Sequence, residues 1–133
     1  MKRTIRTRRE YDAVYANGIR RHGHYAVLFY LPEDSQSASS DLEGSEGPRV
    51  GIVASRRVGG AVQRNRAKRV LREASRKFVD TLRPGSRMVL VARRSLVDDG
   101  VRTPEVVTEL ERLLAQALER AERPRTGKGE GAS

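Results

Sequence analysis

Between residues 61 and 78 the hydrophobic positions repeat with the period of an α-helix. Ala67, Val70, Leu71, Ala74 and Phe78 fall at i, i+3, i+4, i+7 and i+11, so they form one stripe along a helical surface. A stripe of this kind can pack on a hydrophobic core. We therefore predict a helix over this segment.

Two further helices are predicted from the signals at their ends. Thr7 and Glu10 have the spacing of a capping box, and Gly18 is placed to end a short helix. Thr103 as N-cap and Pro104 at the first helical position open a longer helix near the C-terminus. Its apolar face comprises Val106, Leu110, Leu113, Leu114, Ala117 and Leu118.

Three segments have the apolar, β-branched or aromatic composition of β-strands. They span 24–31, which Pro32 ends, 49–55 and 87–93. Residues 33–48 are Ser-rich, acidic and nearly free of large apolar side chains. This composition predicts a mobile loop, which we place between two strands of a hairpin.

These elements define the expected fold and domain organisation. We predict an α+β fold, a two-layer αβ sandwich with helices packed on one face of a small mixed sheet, in the approximate order α-β-β-β-α-β-α, which has one strand more than the three segments located above. A chain of 133 residues is long enough for one core. We assign residues 1–123 to a single domain with an acidic loop at 33–48, and expect residues 124–133 to be a disordered tail.

The positive charge of the chain is concentrated in two regions. Residues 1–32 hold seven basic and two acidic side chains and residues 49–94 hold fourteen and two, whereas residues 33–48 hold none and five. The formal net charge is +10. A localised basic surface is typical of proteins that bind phosphate groups. The charge pattern therefore predicts that the domain binds nucleic acid.

The helix predicted at 61–78 carries much of this charge opposite its apolar stripe. Like charges four residues apart destabilise an isolated helix, so the pattern favours an external polyanion that neutralises them. Guanidinium groups suit phosphate because they bind it through two parallel hydrogen bonds. The alternative is a solvated helix face. The polar residues of this face are Arg64, Asn65, Lys68, Arg69, Arg72 and Arg76.

A basic turn precedes this helix. Arg56 and Arg57 are followed by Gly59 and Gly60, just before the predicted helix N-terminus. Free amide groups and the helix dipole favour an anion there, and glycine permits close approach of the backbone. A simple tight turn is the alternative interpretation.

The composition also argues against several classes of protein. The chain has no cysteine, which excludes disulfides and thiolate metal sites, and no apolar run approaches the roughly 20 residues of a membrane span. The first twelve residues lack the apolar stretch of a secretory signal, so we expect a cytoplasmic protein. His22 and His24 have no accompanying carboxylate cluster, so we predict no catalytic residue and no metal site in this chain.

The segment VASRRVGGAVQRNRAKRVLRE resembles the characteristic motif of the bacterial ribonuclease P protein subunit. EYDAVYANG is similar to the N-terminal helix of that family, and MVLVAR to its last strand. YAVLFYLP and RVGIVAS are similar to its hairpin strands. The resemblance covers about residues 8–120. The motif is matched by Ser55, Arg56, Arg57, Gly59, Ala61, Val62, Arg64, Asn65, Lys68, Arg69, Arg72 and Glu73.

Two features depart from the family pattern. The acidic loop at 33–48 is longer than usual, and Arg87 occupies a position before the last strand that is commonly Asp. Neither feature touches the motif, so they put only local contacts of that strand in doubt.

The resemblance implies a cofactor protein for a catalytic RNA that cleaves precursor tRNA to form its mature 5′ end. No cofactor is expected on the chain itself, and magnesium is expected to act through the RNA. Binding of the RNA subunit is then assigned to Arg56, Arg57, Arg64, Asn65, Lys68, Arg69 and Arg72.

The resemblance also implies that the protein binds the 5′ leader of precursor tRNA. Tyr11 and Phe29 match leader-contacting positions of the family, Tyr15 lies on the same helical side as Tyr11, and Arg57 is assigned to the leader as well. Aromatic rings stack on unpaired bases with little sequence preference. For Tyr15 a place in the core is an equally weighted alternative.

Other functions are also compatible with the composition. A ribosomal or RNA-chaperone module would have a similar basic surface, and the motif argues against it. A nuclease that acts without RNA would need the acid and metal groups that the sequence lacks. Binding of DNA through the basic helix is not supported by helix-turn-helix spacing.

Overall fold

The computed structural model describes residues 5, 7–32, 47–98, 100 and 102–122. Two 3-10 turns, Arg56–Val58 and Val79–Thr81, flank the central helix. The helices and strands are α1 (Arg8–Asn17), β1 (Ile19–His22), β2 (Ala26–Leu31), β3 (Arg49–Val53), α2 (Ala61–Arg76), β4 (Arg87–Ala92), α3 (Ser95–Asp98) and α4 (Thr103–Glu122).

The four strands form one mixed sheet in the order β1-β2-β4-β3. β1 and β4 are both antiparallel to β2, and β3 is parallel to β4. The expected α+β fold is confirmed, and the elements follow the expected order with one addition, the short helix α3. The predicted hairpin of strands 24–31 and 49–55 is wrong, because β4 lies between β2 and β3. Composition identifies a strand but not its neighbour, and α2 provides the crossover that brings β4 parallel to β3.

The hairpin of this sheet is formed by β1 and β2. β1 has the sequence IRRH, whose single apolar residue gave no strand signal. His22 lies within β1 and His24 lies in the turn to β2, and both are exposed. Pairing with β2 places Ile19 against the core and leaves the charged residues at the edge of the sheet.

One face of the sheet is closed by α2 and α4. Leu28 of β2 and Leu90 of β4 are fully buried against Leu71 of α2 and Leu110 of α4. The predicted apolar stripe of α2 is confirmed, since its Ala67, Leu71, Ala74 and Phe78 are buried and Val70 is half-buried. The two long helices therefore form the helical layer of the sandwich.

The short helix α1 packs against the opposite face. Its Val14 forms a second, smaller apolar cluster with Ile5, Leu31 and Val89. The predicted cap is confirmed, because the Thr7 hydroxyl accepts a hydrogen bond from the Glu10 amide at 3.1 Å. Beyond α1, the residues Val27, Val53 and Val91 of this face are half-buried.

The turn between β1 and β2 is fixed by a side chain of α4. The buried Glu109 carboxylate accepts hydrogen bonds from the backbone amides of His24, Tyr25 and Ala26, at 3.0, 2.8 and 3.2 Å. Gly23 lies against this carboxylate, and an added Cβ at this position would collide with it. A charged acceptor held by three amides is a strong local constraint, so the position of the edge strand is well defined.

Candidate nucleic-acid interface

α2 begins after a turn that requires glycine. Gly59 has φ of 143°, a conformation that side chains other than hydrogen rarely adopt. The Gln63 side chain accepts a hydrogen bond from the Gly60 amide at 3.1 Å, which caps the start of the helix. The turn thus places Arg56 and Arg57 directly before the N-terminus of α2.

The face of α2 that carries the predicted RNA-binding residues points away from the core. The apolar stripe of α2 is buried, so side chains on the opposite side of the helix face solvent and those beside the stripe are half-buried. The Arg64 guanidinium also lies 3.5 Å from the Gly59 carbonyl oxygen. Arg64 and Lys68 are half-buried, and the others are exposed: Arg56, Arg57, Asn65, Arg69 and Arg72.

Among the described residues, no ion pair joins a basic side chain of this face to an acid. In the described part of the chain, the ion pairs found are Arg8–Asp12, Arg49–Glu10, Arg87–Glu10, Arg94–Asp98 and Arg112–Glu109. None of them involves a basic side chain of α2 or of the turn before it. The seven predicted residues thus give α2 and the turn before it an excess of positive charge, which suits a polyanion.

The second group of predicted residues lies on the sheet face that carries α1. Strand register aligns Arg20, Phe29, Val89 and Gly51 in one row across all four strands. The Tyr11 ring lies over Gly51, where an added Cβ would be 2.7 Å from Tyr11 Cε1. Glycine at this position therefore lets α1 approach the sheet closely.

Three aromatic side chains form a cluster between α1 and this row. The Tyr15 and Phe29 ring centroids are 4.9 Å apart with the rings edge to face, and the Tyr11 and Tyr15 centroids are 6.4 Å apart. Tyr15 is 40% exposed, whereas Tyr11 and Phe29 are half-buried. The structure therefore places Tyr15 at the surface of the cluster and not in the core, the alternative left open from the sequence.

Both tyrosines are neutral at neutral pH. Burial raises the pKa of Tyr11 above 10.0, with a further increase from the Glu10 charge and a decrease from a backbone hydrogen bond at Ile52. Burial, followed by the neighbouring Tyr11 and Asp12, raises the pKa of Tyr15. Neutral phenols do not repel phosphate groups, so the cluster is suited to stacking against bases.

The next row of the same face is only partly covered. It consists of His22, Val27, Val91 and Val53, again one residue from each strand. The three valines are half-buried. Arg57 follows β3 in the chain and belongs to the basic turn before α2. The predicted leader residues are thus divided between the aromatic cluster and this turn.

A third row on this face contains a buried charge that the sequence did not reveal. Arg87 pairs with Arg49 across the parallel strands, and both face Glu10 of α1. The Arg49 Nη1 atom lies 2.7 Å from Glu10 Oε2, and the Arg87 Nε atom lies 3.8 Å from the same oxygen. Arg87 is 5% exposed. One carboxylate thus contacts two guanidinium groups and anchors α1 to the sheet.

The described residues contain no group of three or more His, Cys, Asp or Glu that could hold a metal ion. No helix in the described ranges is long and apolar enough to cross a membrane. The candidate residues are basic, amide and aromatic side chains, which are suited to contacts with phosphates and bases.

Comparison with known protein families agrees with this chemistry. The family model of ribonuclease P matches residues 1–118. The chain belongs to the ribonuclease P protein family. A ribonuclease P protein component from a Nitratiruptor species is 45% identical over 94 residues, which cover 71% of this chain and 74% of that protein. One from a Synechococcus species is 36% identical over 116 residues, covering 85% and 80%.

Solved structures of the family share the fold. The Thermotoga maritima ribonuclease P protein has a TM-score of 0.66 and 26% identity, over 85% of this chain and 96% of that one. The Staphylococcus aureus protein has a TM-score of 0.68 at 21% identity, over 88% and 96%. The family assignment makes the chain a protein subunit of ribonuclease P, and argues against the ribosomal or RNA-chaperone alternative.

Proposed function

We propose that this chain binds the catalytic RNA of ribonuclease P through α2. We propose that it binds the 5′ leader of precursor tRNA through the sheet face that carries α1 and the half-buried valines, here called the open face. The RNA carries out the endonucleolytic cleavage that forms the mature tRNA 5′ end. The observation that carries this proposal is the presence of two distinct surfaces, one basic and one aromatic. Folded RNA presents mainly phosphates, whereas an unpaired leader presents bases for stacking.

The RNA-subunit surface is formed by Arg56, Arg57, Arg64, Asn65, Lys68, Arg69 and Arg72. Their lack of ion pairs with the described acids supports this assignment. The leader surface is formed by Tyr11, Tyr15 and Phe29, with Arg57 at the side nearest α2. Exposure of Tyr15 beside Phe29 supports stacking on a base. Broad leader selectivity is expected, because stacking accepts every base.

Magnesium is proposed to be held by the RNA and not by the protein. Catalysis by the RNA is tested by measuring precursor tRNA cleavage at low magnesium by a matched RNA subunit, with and without the chain. The protein should increase cleavage and should have no activity once all RNA is removed. Activity of the RNA-free protein would contradict the proposal. The cytoplasmic location expected from the sequence stays a prediction.

Binding through α2 is tested by the salt dependence of affinity for the RNA subunit. The double substitution Arg64→Ala and Arg69→Ala should weaken binding and should lower the slope of log affinity against log salt by roughly 0.7 to 0.9 for each phosphate group that the variant no longer binds. Arg83→Ala with Arg120→Ala is the matched control, because it removes the same charge from exposed positions outside α2. Equal changes in both variants would indicate only a general charge effect.

A further inference from the structure

The edge strand β1 adds basic side chains to the open sheet face. Arg20 is the cross-strand partner of Phe29, and His22 is the partner of Val27. Directly opposed residues of antiparallel strands point to the same face, so Arg20 and His22 share the face of the aromatic cluster. Both are exposed. Arg21, between them in sequence, points to the face closed by α4.

His22 begins the row of half-buried valines, which runs through Val27 and Val91 to Val53, and Arg20 begins the neighbouring row that contains Phe29. Arg56 and Arg57 follow Val53 in the chain. The half-buried valines are therefore flanked by basic residues of β1 on one side of the sheet and are followed by basic residues after β3. A strip with this arrangement can hold bases against apolar side chains while the ends contact phosphates.

The charge at the β1 end has no partner in the ion pairs described above. Basic residues on an edge strand also discourage pairing with other sheets. Protection against pairing needs charge on the strand but not on a particular face, so replacing Arg20 or Arg21 should weaken it equally. A role in leader binding predicts that only the replacement of Arg20 lowers affinity for the leader.

We propose that Arg20 and His22 form a distal leader subsite, which binds phosphates of the leader nucleotides farthest from the cleavage site. This inference rests on the proposed function, because it requires the leader to cross the open face. From β3 to β1 the strip spans three strand spacings, roughly 14 Å, which is about four nucleotides at about 3.4 Å per stacked nucleotide. Only longer leaders reach the subsite.

The test compares Arg20→Ala with Arg21→Ala in the assembled holoenzyme, using precursor tRNAs with leaders of about two and about ten nucleotides. Arg20→Ala should lower affinity for the long-leader substrate by about fivefold and reduce its salt slope by roughly 0.7. Affinity for the short-leader substrate should be unchanged, as should both affinities of Arg21→Ala. Arg20→Gln, which keeps most of the side-chain volume, should reproduce the selective loss.

Three results would overturn the subsite. They are an unchanged long-leader affinity in both Arg20 variants, equal losses for the two leader lengths, and equal losses in the Arg20 and Arg21 variants. Tyr15→Ala, measured in parallel, separates this failure from failure of the proposed function. A leader-dependent loss with Tyr15→Ala but not with Arg20→Ala rejects only the subsite. No loss with either variant rejects leader binding on this face.

Discussion

The two faces of the sheet differ in what covers them. On the face closed by α2 and α4, residues such as Leu28, Met88 and Leu90 are fully buried among apolar side chains. On the face beneath α1, a buried arginine, an aromatic cluster and a row of half-buried valines follow one another along the strands. The same strands form both faces, so the difference arises from the alternating residues they carry.

The closed face contributes mainly to the stability of the domain, whereas the open face is proposed to bind the leader. The closed face gains free energy by removing apolar surface from water, and it leaves nothing for a ligand to contact. The open face gains less of this stabilisation, because the side chains of Tyr15 and the valines remain partly in contact with solvent. A helix long enough to cover them would block the surface proposed for the leader. Substitutions on the closed face should therefore mainly lower stability, and substitutions on the open face should mainly change binding.

Leu90→Ala and Val91→Ala compare the two faces at adjacent positions of β4. Leu90 is fully buried on the closed face, so its truncation should lower the free energy of unfolding by about 3 kcal/mol. Val91 is half-buried on the open face, so its truncation should cost less than about 1 kcal/mol. Chemical denaturation measures both. Equal losses would mean that the open face is packed as firmly as the closed one.

Glu10→Gln tests the charged row that anchors α1. Removing the carboxylate charge leaves Arg49 and the buried Arg87 without their anionic partner, so stability should fall by about 2 kcal/mol. Arg87→Met should be neutral or stabilising, since it replaces a buried charge by an apolar chain and leaves the shorter Arg49–Glu10 pair in place. The denaturation midpoints of Glu10→Gln and Arg87→Met, each compared with that of the wild type, measure these changes in stability. Strong destabilisation by Arg87→Met would show that Arg87 is essential to the anchor.

Tyr15→Ala tests the aromatic cluster without a large loss of packing, because this side chain is the exposed member. Affinity of the holoenzyme for leader-bearing precursor tRNA should fall by up to about tenfold, or roughly 1.4 kcal/mol, the effect of removing the ring on which one base stacks. Affinity for mature tRNA should be unchanged. Tyr11 suits this test less well, because its ring also packs over Gly51.

Shortening the acidic loop should have the smallest effect. β2 ends and β3 begins on either side of β4, so a linker must span two strand spacings, about 10 Å, which about six Gly and Ser residues can do. Replacing residues 35–46, which lie outside the described residues, should leave the thermal midpoint nearly unchanged. A large decrease would show that the loop stabilises the domain.

Much of this architecture follows from local sequence signals. The stripe from Ala67 to Phe78 identified α2 and its buried side, and Thr7 and Gly18 marked the ends of α1. The segment at 87–93 was correctly assigned to a strand. The start of α4 differs slightly, since the helix includes Thr103 and the Glu105 side chain accepts a hydrogen bond from the Arg102 amide at 3.1 Å.

The arrangement of the elements depends on contacts that local patterns do not record. The position of β4 between β2 and β3 is set by pairing of distant segments, and β1 is a strand because β2 pairs with it and Glu109 fixes their turn. The role of Arg87 required knowing that Glu10, far away in the chain, faces it. The sequence places the basic group on a helix and assigns the aromatic residues to a separate group, whereas the packing of Tyr11 and Tyr15 against the sheet face that carries Phe29 depends on the fold.

The most direct test of the two-surface account is a crossed binding measurement. The Arg64→Ala and Arg69→Ala variant and the Tyr15→Ala variant are each titrated with the RNA subunit alone and, once assembled at saturating protein, with leader-bearing and mature tRNA. If the two surfaces are separate, the arginine variant loses affinity for the RNA subunit and Tyr15→Ala loses only the preference for the leader. Loss of both properties in either variant would contradict two separate surfaces.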